Sequence, residues 1–428
     1  MPALENDHNV YILGAGFSQD AGYPLTNGFL NRMRDAQGWL EQQPVSDGNN
    51  EIREVLEYRL EAAAAAYWTP LDLENIEELF SLASADENFI KGRLVAKAIA
   101  ATLRYVEETR QQMSGAVHIT GHPSLPPLKW VPGSEKQEYS VQVHQEITKP
   151  QAMDAYTHYL AMLLGMYGTG AMKGRNTIIT FNYDCLVDQA LSSLGVPWTY
   201  GFHSYGPIAN YSKGATALGM TTGLEANPPK ESDSVGLYKI HGSVNWGRKA
   251  DEDGRLGMTT IYGSYSDLRA SNDDVVLVPP SWQKTLTGPV SLAWTQAVQA
   301  LSKATRIVVI GFSMPPTDTH FRYLLAAGLK ANASLRSVLF VDPAMEAVRN
   351  RALQIFNKVY VERELIRFTN QRARDFCMHS RWPDSMGDQT MLTDTPLEWI
   401  GRAYPKGCSI NWYPKDNTAA ELAKKLNG

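Results

Sequence analysis

The residues best equipped for chemistry in this chain stand at the ends of short apolar runs. Val10-Tyr11-Ile12-Leu13 stops at Gly14-Ala15-Gly16-Phe17-Ser18, and Thr177 to Phe181 stops at Asn182-Tyr183-Asp184. Leu237 to Ile240 runs into His241-Gly242-Ser243, Arg306 to Ile310 into Gly311-Phe312-Ser313, and Ser337 to Val341 into Asp342. Small residues, an amide, an imidazole, hydroxyls and carboxylates at such places are the make-up of a polar ligand site. Glycines let backbone N–H groups approach an anion with no Cβ in the way, so a phosphate is expected at the Gly14–Gly16 turn. The dinucleotide fingerprint G-x-G-x-x-G is incomplete here, because Gln19 stands where its third glycine belongs. Each residue also has a plainer reading. Asp184 caps the following helix, Asn182 closes a turn, His241 is a satisfied structural histidine, and Ser313 and Asp318 are turn and cap residues. Tyr183, Trp246 and Trp282 read as packing residues.

The elements that would position these residues follow from periodicity. Thr177 to Phe181 reads as a strand, and after it Leu186, Val187, Ala190, Leu191 and Leu194 share one face of a helix. Strands are expected again at Leu237 to Ile240, Val275 to Val278, Arg306 to Ile310 and Ser337 to Val341, with Phe321, Leu324, Leu325 and Leu329 on an intervening helix. Alternating strands and helices predict an α/β fold, a Rossmann-like, mostly parallel sheet covered by helices, with ligands beyond the carboxyl ends of the strands. Between the first two strands lies a helical insertion, residues 25–170, with helices expected at Leu25–Leu40, Glu51–Tyr67 and Leu73–Ala83. Ile90, Leu94, Val95, Ala98, Ile99, Leu103 and Val106 add an amphipathic stripe. Residues 113–149 lose the helical period and include the proline-rich HPSLPPLKWVPG, so irregular chain is expected there. His118, His122 and His144 show no metal-ligand spacing. The organisation expected is one domain over 1–370 and a C-terminal extension over 371–428, a candidate interface segment rich in Trp, Pro and charge.

Composition narrows the class. A chain of 428 residues can bury a large core in one α/β domain with insertions, or in two domains. Forty basic against forty-five acidic residues leave a net charge of −5, which gives no electrostatic grip on nucleic acid or an anionic membrane. Arg372, Arg374 and Arg381 could make a local basic patch. Cys185, Cys377 and Cys408 lie far apart with no C-x-x-C spacing, so no metal is expected and a reducing compartment is. MPALENDHNV lacks the pattern of a signal peptide, and the uncharged run Ala155–Met172 is too polar to span a bilayer. A soluble cytoplasmic protein is the expectation.

Taken together, GAGFSQDAGYP (14–24), TFNYD (180–184), KIHGS (239–243), VPPSWQK (278–284) and VIGFSMPPTDTHFR (309–322) resemble the sirtuin-like superfamily, in particular its bacterial branch of NAD-consuming defence proteins. The resemblance implies an NAD site, with NAD as substrate. Gly14, Ala15, Gly16 and Ser18 would surround the pyrophosphate, and Asp184 and Gly311 would also belong to the cofactor-binding residues. Cleavage would depend on Asn182 and His241, and Ser313 and Asp342 would contact the phosphate and the adenosine ribose or base. Two departures stand out. The interval Gly247–Asp274 holds none of the cysteines of the zinc module in protein-deacylating sirtuins, and Leu25-Thr26-Asn27 replaces their Asp-Phe-Arg. Both count against a lysine deacylase. The resemblance implies an NAD+ glycohydrolase, the NAD-depleting effector of an antiphage system, with ADP-ribosyltransferase or a non-catalytic NAD or ADP-ribose sensor as alternatives. It further implies control by homo-oligomerisation or by a partner such as a HerA-type ring ATPase, a phage protein or an argonaute-like protein.

Overall fold

The apolar run at the start of the chain becomes β1 (His8–Leu13), buried along its whole length. The computed structural model describes residues 7–44, 48–85, 92–113, 116–121, 151–165, 174–194, 196–202, 234–250, 256–263, 265–271, 273–280, 288–315, 319–378 and 408–413. Further strands are β2 (Ala116–Gly121), β3 (Gln151–Asp154), β4 (Arg175–Thr180), β5 (Trp198–Thr199), β6 (Val235–Lys239), β7 (Gly242–Ala250), β8 (Leu256–Ile261), β9 (Asp274–Leu277), β10 (Arg306–Ile310), β11 (Ser337–Val341), β12 (Ile366–Thr369) and β13 (Cys408–Tyr413). Seven of them form one sheet in the order β12-β11-β10-β1-β4-β6-β5, with every neighbouring pair parallel. β1 is its centre.

Consecutive residues of β1 serve opposite faces. Tyr11 and Leu13 join the core built with Leu30, Met33, Val55, Leu79 and Ile99 of the helical insertion. Val10 and Ile12 join Ala297, Leu301, Leu324, Leu325 and Val348 on the other side. Burial on both faces is why the strand reads as an unbroken apolar run rather than an alternating one. The insertion forms helices at Phe29–Leu40, Asn49–Glu61, Ile76–Ala85 and Gly92–Met113. On the last, Val95, Ala98, Ile99, Leu103 and Val106 face inward at helical spacing.

Two expectations need correction. Val275–Val278 is not a strand of the parallel sheet: β9 belongs to a separate antiparallel sheet ordered β8-β7-β9. Its four residues are only half-buried, as in a sheet with one open face. The chain over 113–149 is not irregular throughout, because β2 at Ala116–Gly121 pairs with both β3 and β13, and so ties the insertion to the C-terminal extension. Asp318, Trp282, Arg381, His122 and His144 lie outside the described residues.

His8 at the lower edge of β1 makes the fold acid-sensitive. Its Nε2 lies 2.9 Å from Thr177 Oγ1, and burial, with the Arg175 and Lys303 cations, holds its pKa down at about 4. His158, buried within the helix Ala155–Leu163, is held at about 3 by burial alone. Folding therefore favours the neutral rings, a contribution complete above the unfolded value near 6.5 and lost as pH falls toward 4. The expected loss from His8 is about 3 kcal/mol at the acid end. In melting curves from pH 7 to pH 4, His8→Gln should show a smaller fall in midpoint than wild type; equal falls would contradict this assignment.

Candidate functional site

Five strand ends of the parallel sheet open into one cavity of about 550 Å³. Ala15, Gly16, Ser18, Asn182, Asp184, His241, Gly311, Ser313 and Asp342 all line it. Gly14 lies just beneath, its carbonyl accepting from Asn182. The backbone makes this arrangement. Gly14 N–H donates to Ile310 O at 3.1 Å and Gly16 N–H to Gly311 O at 2.8 Å, which joins the turn after β1 to the end of β10. Gly311 has φ +61, and a Cβ there would come within 2.4 Å of Phe17 N, so only glycine allows so close an approach.

Asn182 is fixed by its donors. Its Nδ2 donates to Gly14 O at 2.8 Å and to Ser18 Oγ at 2.9 Å. Ser18 Oγ donates in turn to Asp184 Oδ2 at 2.8 Å, while Asp184 Oδ1 accepts from Leu186 N–H at 3.0 Å and so also caps the next helix. Both amide hydrogens of Asn182 are thereby engaged, and Oδ1 has no partner among the described residues. The side chain offers the cavity an acceptor. Burial pushes the Asp184 carboxyl up, against the pull of Lys239, Ser18 and the Leu186 N–H.

His241 follows β6 and is buried at the cavity wall. Its ring meets Phe181 edge-on, with centroids 5.1 Å apart, and lies 6.2 Å from the Tyr183 ring. Trp294 Nε1 donates to Ile240 O at 2.6 Å, fixing the residue before it. Gly242 then turns the chain out of the parallel sheet into β7: φ is +83, and a Cβ would stand 2.1 Å from Val276 O. Gly242→Ala is expected to cost at least about 1–2 kcal/mol from the left-handed backbone alone. A denaturation midpoint equal to wild type would contradict that requirement.

Sequence reasoning missed the support beneath these residues. Lys239, fully buried, donates from Nζ to Asp184 O at 2.6 Å and to Asp188 Oδ2 at 3.1 Å. Burial works against its charge, but Asp188, Cys185 and Asp184 together keep its pKa raised. Tyr200 hydroxyl donates to the other Asp188 oxygen and accepts from Asn245 Nδ2 at 3.3 Å. Asn245 Oδ1 accepts from Ser243 Oγ at 2.6 Å, and that hydroxyl lies 3.3 Å from Tyr183 O. The carbonyls of Tyr183 and Asp184, the two residues after Asn182, are thus held, that of Asp184 by Lys239 and that of Tyr183 by Val244 N–H at 3.0 Å. A lysine inside the strand LYKIHG was the available signal, since a buried cation requires a partner.

The cavity also has walls outside the five strand ends. Leu25, Thr26 and Asn27 line it with Asn75, Ile76, Glu77, Ile99 and Leu103 of the insertion. Arg351 and Arg372 are the cations among its described lining residues. Arg372 and Ala373 bring the start of the C-terminal extension into the site. No group of three or more His, Cys, Asp or Glu able to hold a metal occurs among the described residues. No described helix is long and apolar enough to cross a membrane.

Residues 176–362 match the SIR2-like domain family. The match runs from β4 through β11 and includes Asn182, Asp184, His241, Gly311, Ser313 and Asp342, but not the turn after β1. Among solved structures, one similar chain is a Sir2 in complex with an inhibitor, 2'-O-acetyl-ADP-ribose and a deacetylated peptide, at 12% identity, 86% coverage of this chain, 90% of that chain and a TM-score of 0.30. Another is a mutant Sir2 homologue in complex with 2'-O-acetyl ADP ribose, at 12% identity, 86% and 88% coverage and a TM-score of 0.34. A third is Sir2Tm bound to a propionylated peptide, at 10% identity, 86% and 90% coverage and a TM-score of 0.32. At these values the likeness adds nothing to the sheet order given by the strand pairing. No curated protein sequence matches the chain closely enough to count as a relative.

Proposed function

We propose that this chain is an NAD+ glycohydrolase that releases nicotinamide and ADP-ribose. The observation that carries the proposal is the Asn182 acceptor, without a partner among the described residues, which lines the same cavity of dinucleotide size as His241, within a stretch that matches the SIR2-like domain. In the reaction the bond between nicotinamide and the ribose breaks and nicotinamide leaves neutral with the bonding pair. Water oxygen bonds to the sugar carbon through an oxocarbenium-like transition state and gives up a proton. Asn182 Oδ1 accepts from that water or from a ribose hydroxyl, and its orientation is set before substrate arrives because both amide hydrogens are engaged. His241 serves as general base toward the water or a ribose hydroxyl. Gly16, Gly311 and Ser313 leave room for the pyrophosphate, and Arg351 and Arg372 offset its charge.

Lysine deacylation is disfavoured by the absence of cysteine from Gly247–Asp274 and by Leu25-Thr26-Asn27, which stand on the cavity wall in place of Asp-Phe-Arg. The role as NAD-depleting effector of an antiphage system, under control of self-assembly or a HerA-type partner, rests on the family resemblance alone. Product analysis tests the reaction class. Purified protein given NAD should yield nicotinamide and free ADP-ribose in equal amounts; ADP-ribose attached to protein would make it a transferase, and bound NAD without turnover a sensing module.

A further inference from the structure

An α-helix closes each backbone N–H onto the carbonyl four residues back. After β1 the chain starts such a helix, Ala15–Ser18, and leaves it after one turn: Gln19–Ala21 tighten into a 3-10 turn, and Gly22 ends it at φ +84. The cause is a side chain from far along the sequence. In place of the bond from Ala21 N–H to Phe17 O that would carry the helix on, the Tyr156 hydroxyl bridges the two, accepting from Ala21 N–H at 3.1 Å and donating to Phe17 O at 2.9 Å. A hydroxyl set into the helical ladder bends the chain away from its axis. The chain so diverted forms a wall of the cavity, lined by Tyr23, Pro24, Leu25, Thr26 and Asn27. Tyr156 is itself firmly placed. It is buried, its ring meets Phe17 edge-on with centroids 5.5 Å apart, and Tyr159 packs at 5.1 Å. The far end of its helix, Ala155–Leu163, is tied to β1, whose Tyr11 hydroxyl donates to Leu163 O at 2.5 Å. That helix follows directly on β3, which pairs with β2, and β2 with β13 of the C-terminal extension.

Resting on the dinucleotide reading above, we propose that Tyr156 is a positioning residue for the dinucleotide: its hydroxyl, set between Phe17 O and Ala21 N–H, stops the helix after one turn and so places the Tyr23–Asn27 wall against the bound molecule. Tyr156 is not among the described lining residues of the cavity and lies outside the stretch that matches the SIR2-like domain, so it acts through the turn after β1. Without the hydroxyl, Ala21 N–H either closes onto Phe17 O, which extends the helix and draws Tyr23–Asn27 off the wall, or stays unpaired. Both outcomes loosen contacts that the dinucleotide makes before and during cleavage alike. The loss therefore falls on binding and spares the rate of bound substrate.

The test compares wild type with Tyr156→Phe, which removes one oxygen and leaves the ring packed on Phe17 and Tyr159; melting curves establish folding. KM for NAD should rise about 10-fold and the dissociation constant of ADP-ribose by a similar factor, the combined worth of two ordinary hydrogen bonds. Over the same comparison kcat should hold within about threefold. Hydrogen exchange without ligand should quicken over residues 17–27 of the variant. A lower melting temperature with KM, ADP-ribose affinity and exchange as in wild type makes Tyr156 a structural residue only and overturns the proposal. A fall in kcat at unchanged KM overturns it too. If NAD binds without being cleaved, its dissociation constants in the two proteins decide the same question while the glycohydrolase reading fails. A wild type that binds neither NAD nor ADP-ribose overturns both.

Discussion

Asn182→Ala and His241→Ala are each expected to lower NAD turnover by about 10² to 10⁴-fold, the usual worth of a positioned proton acceptor or general base. The two losses have different structural origins. Asn182→Ala removes the acceptor offered to the cavity and also two donors, so Gly14 O keeps only Phe17 N–H and Ser18 Oγ only Asp184 among the described partners. Asn182→Asp separates these effects, since it keeps an acceptor oxygen but brings a negative charge toward Asp184 and supplies no donor to Ser18. It should therefore be about as damaging as Ala. His241→Ala leaves the backbone turn supported by Gly242 and Trp294 and deletes only the ring that packs against Phe181. Nicotinamide release at saturating NAD, from variants shown by melting to be folded, is the readout. Wild-type turnover in both would remove Asn182 and His241 from the mechanism.

Lys239→Met is expected to destabilise the fold by about 3–5 kcal/mol, because it leaves Asp188 charged, buried and without its cation. Combining it with Asp188→Leu should recover part of the loss, since a buried pair replaced by apolar side chains is often near neutral. The recovery will be incomplete. Lys239 also donates to Asp184 O, and Tyr200 donates to Asp188, so the double variant leaves a carbonyl and a hydroxyl to find other partners. Denaturant unfolding of the four proteins gives the coupling directly. A single variant as stable as wild type would mean the pair does not support the Asp184 carbonyl as described.

Much of this site is legible in the sequence because a parallel strand buried on both faces announces itself as an apolar run, and its carboxyl end is where the run stops. That logic locates Gly14 to Ser18, Asn182, Asp184, His241, Gly311, Ser313 and Asp342 without knowledge of strand order. It fails at Val275–Val278, where a run of the same composition pairs antiparallel with β7, because pairing partners leave no mark in a single strand. β12 and β5 leave no such run in the sequence, because β12 is mostly half-buried and β5 only two residues long. The orientation of the Asn182 amide depends on Ser18 and Gly14, more than a hundred and sixty positions away, and no local pattern encodes it. Arg351 and Arg372 are ordinary surface arginines by their neighbours, and only the folding of the chain around β11 and the Ala15–Ser18 turn brings them to the cavity.

The most direct test of the central claim is nicotinamide release by the purified wild-type chain supplied with NAD, followed across a range of protein concentrations. The account predicts release, with free ADP-ribose in step; a rate per molecule that rises with concentration would make self-assembly the control. NAD bound at the site with no nicotinamide released at any concentration would contradict the glycohydrolase assignment.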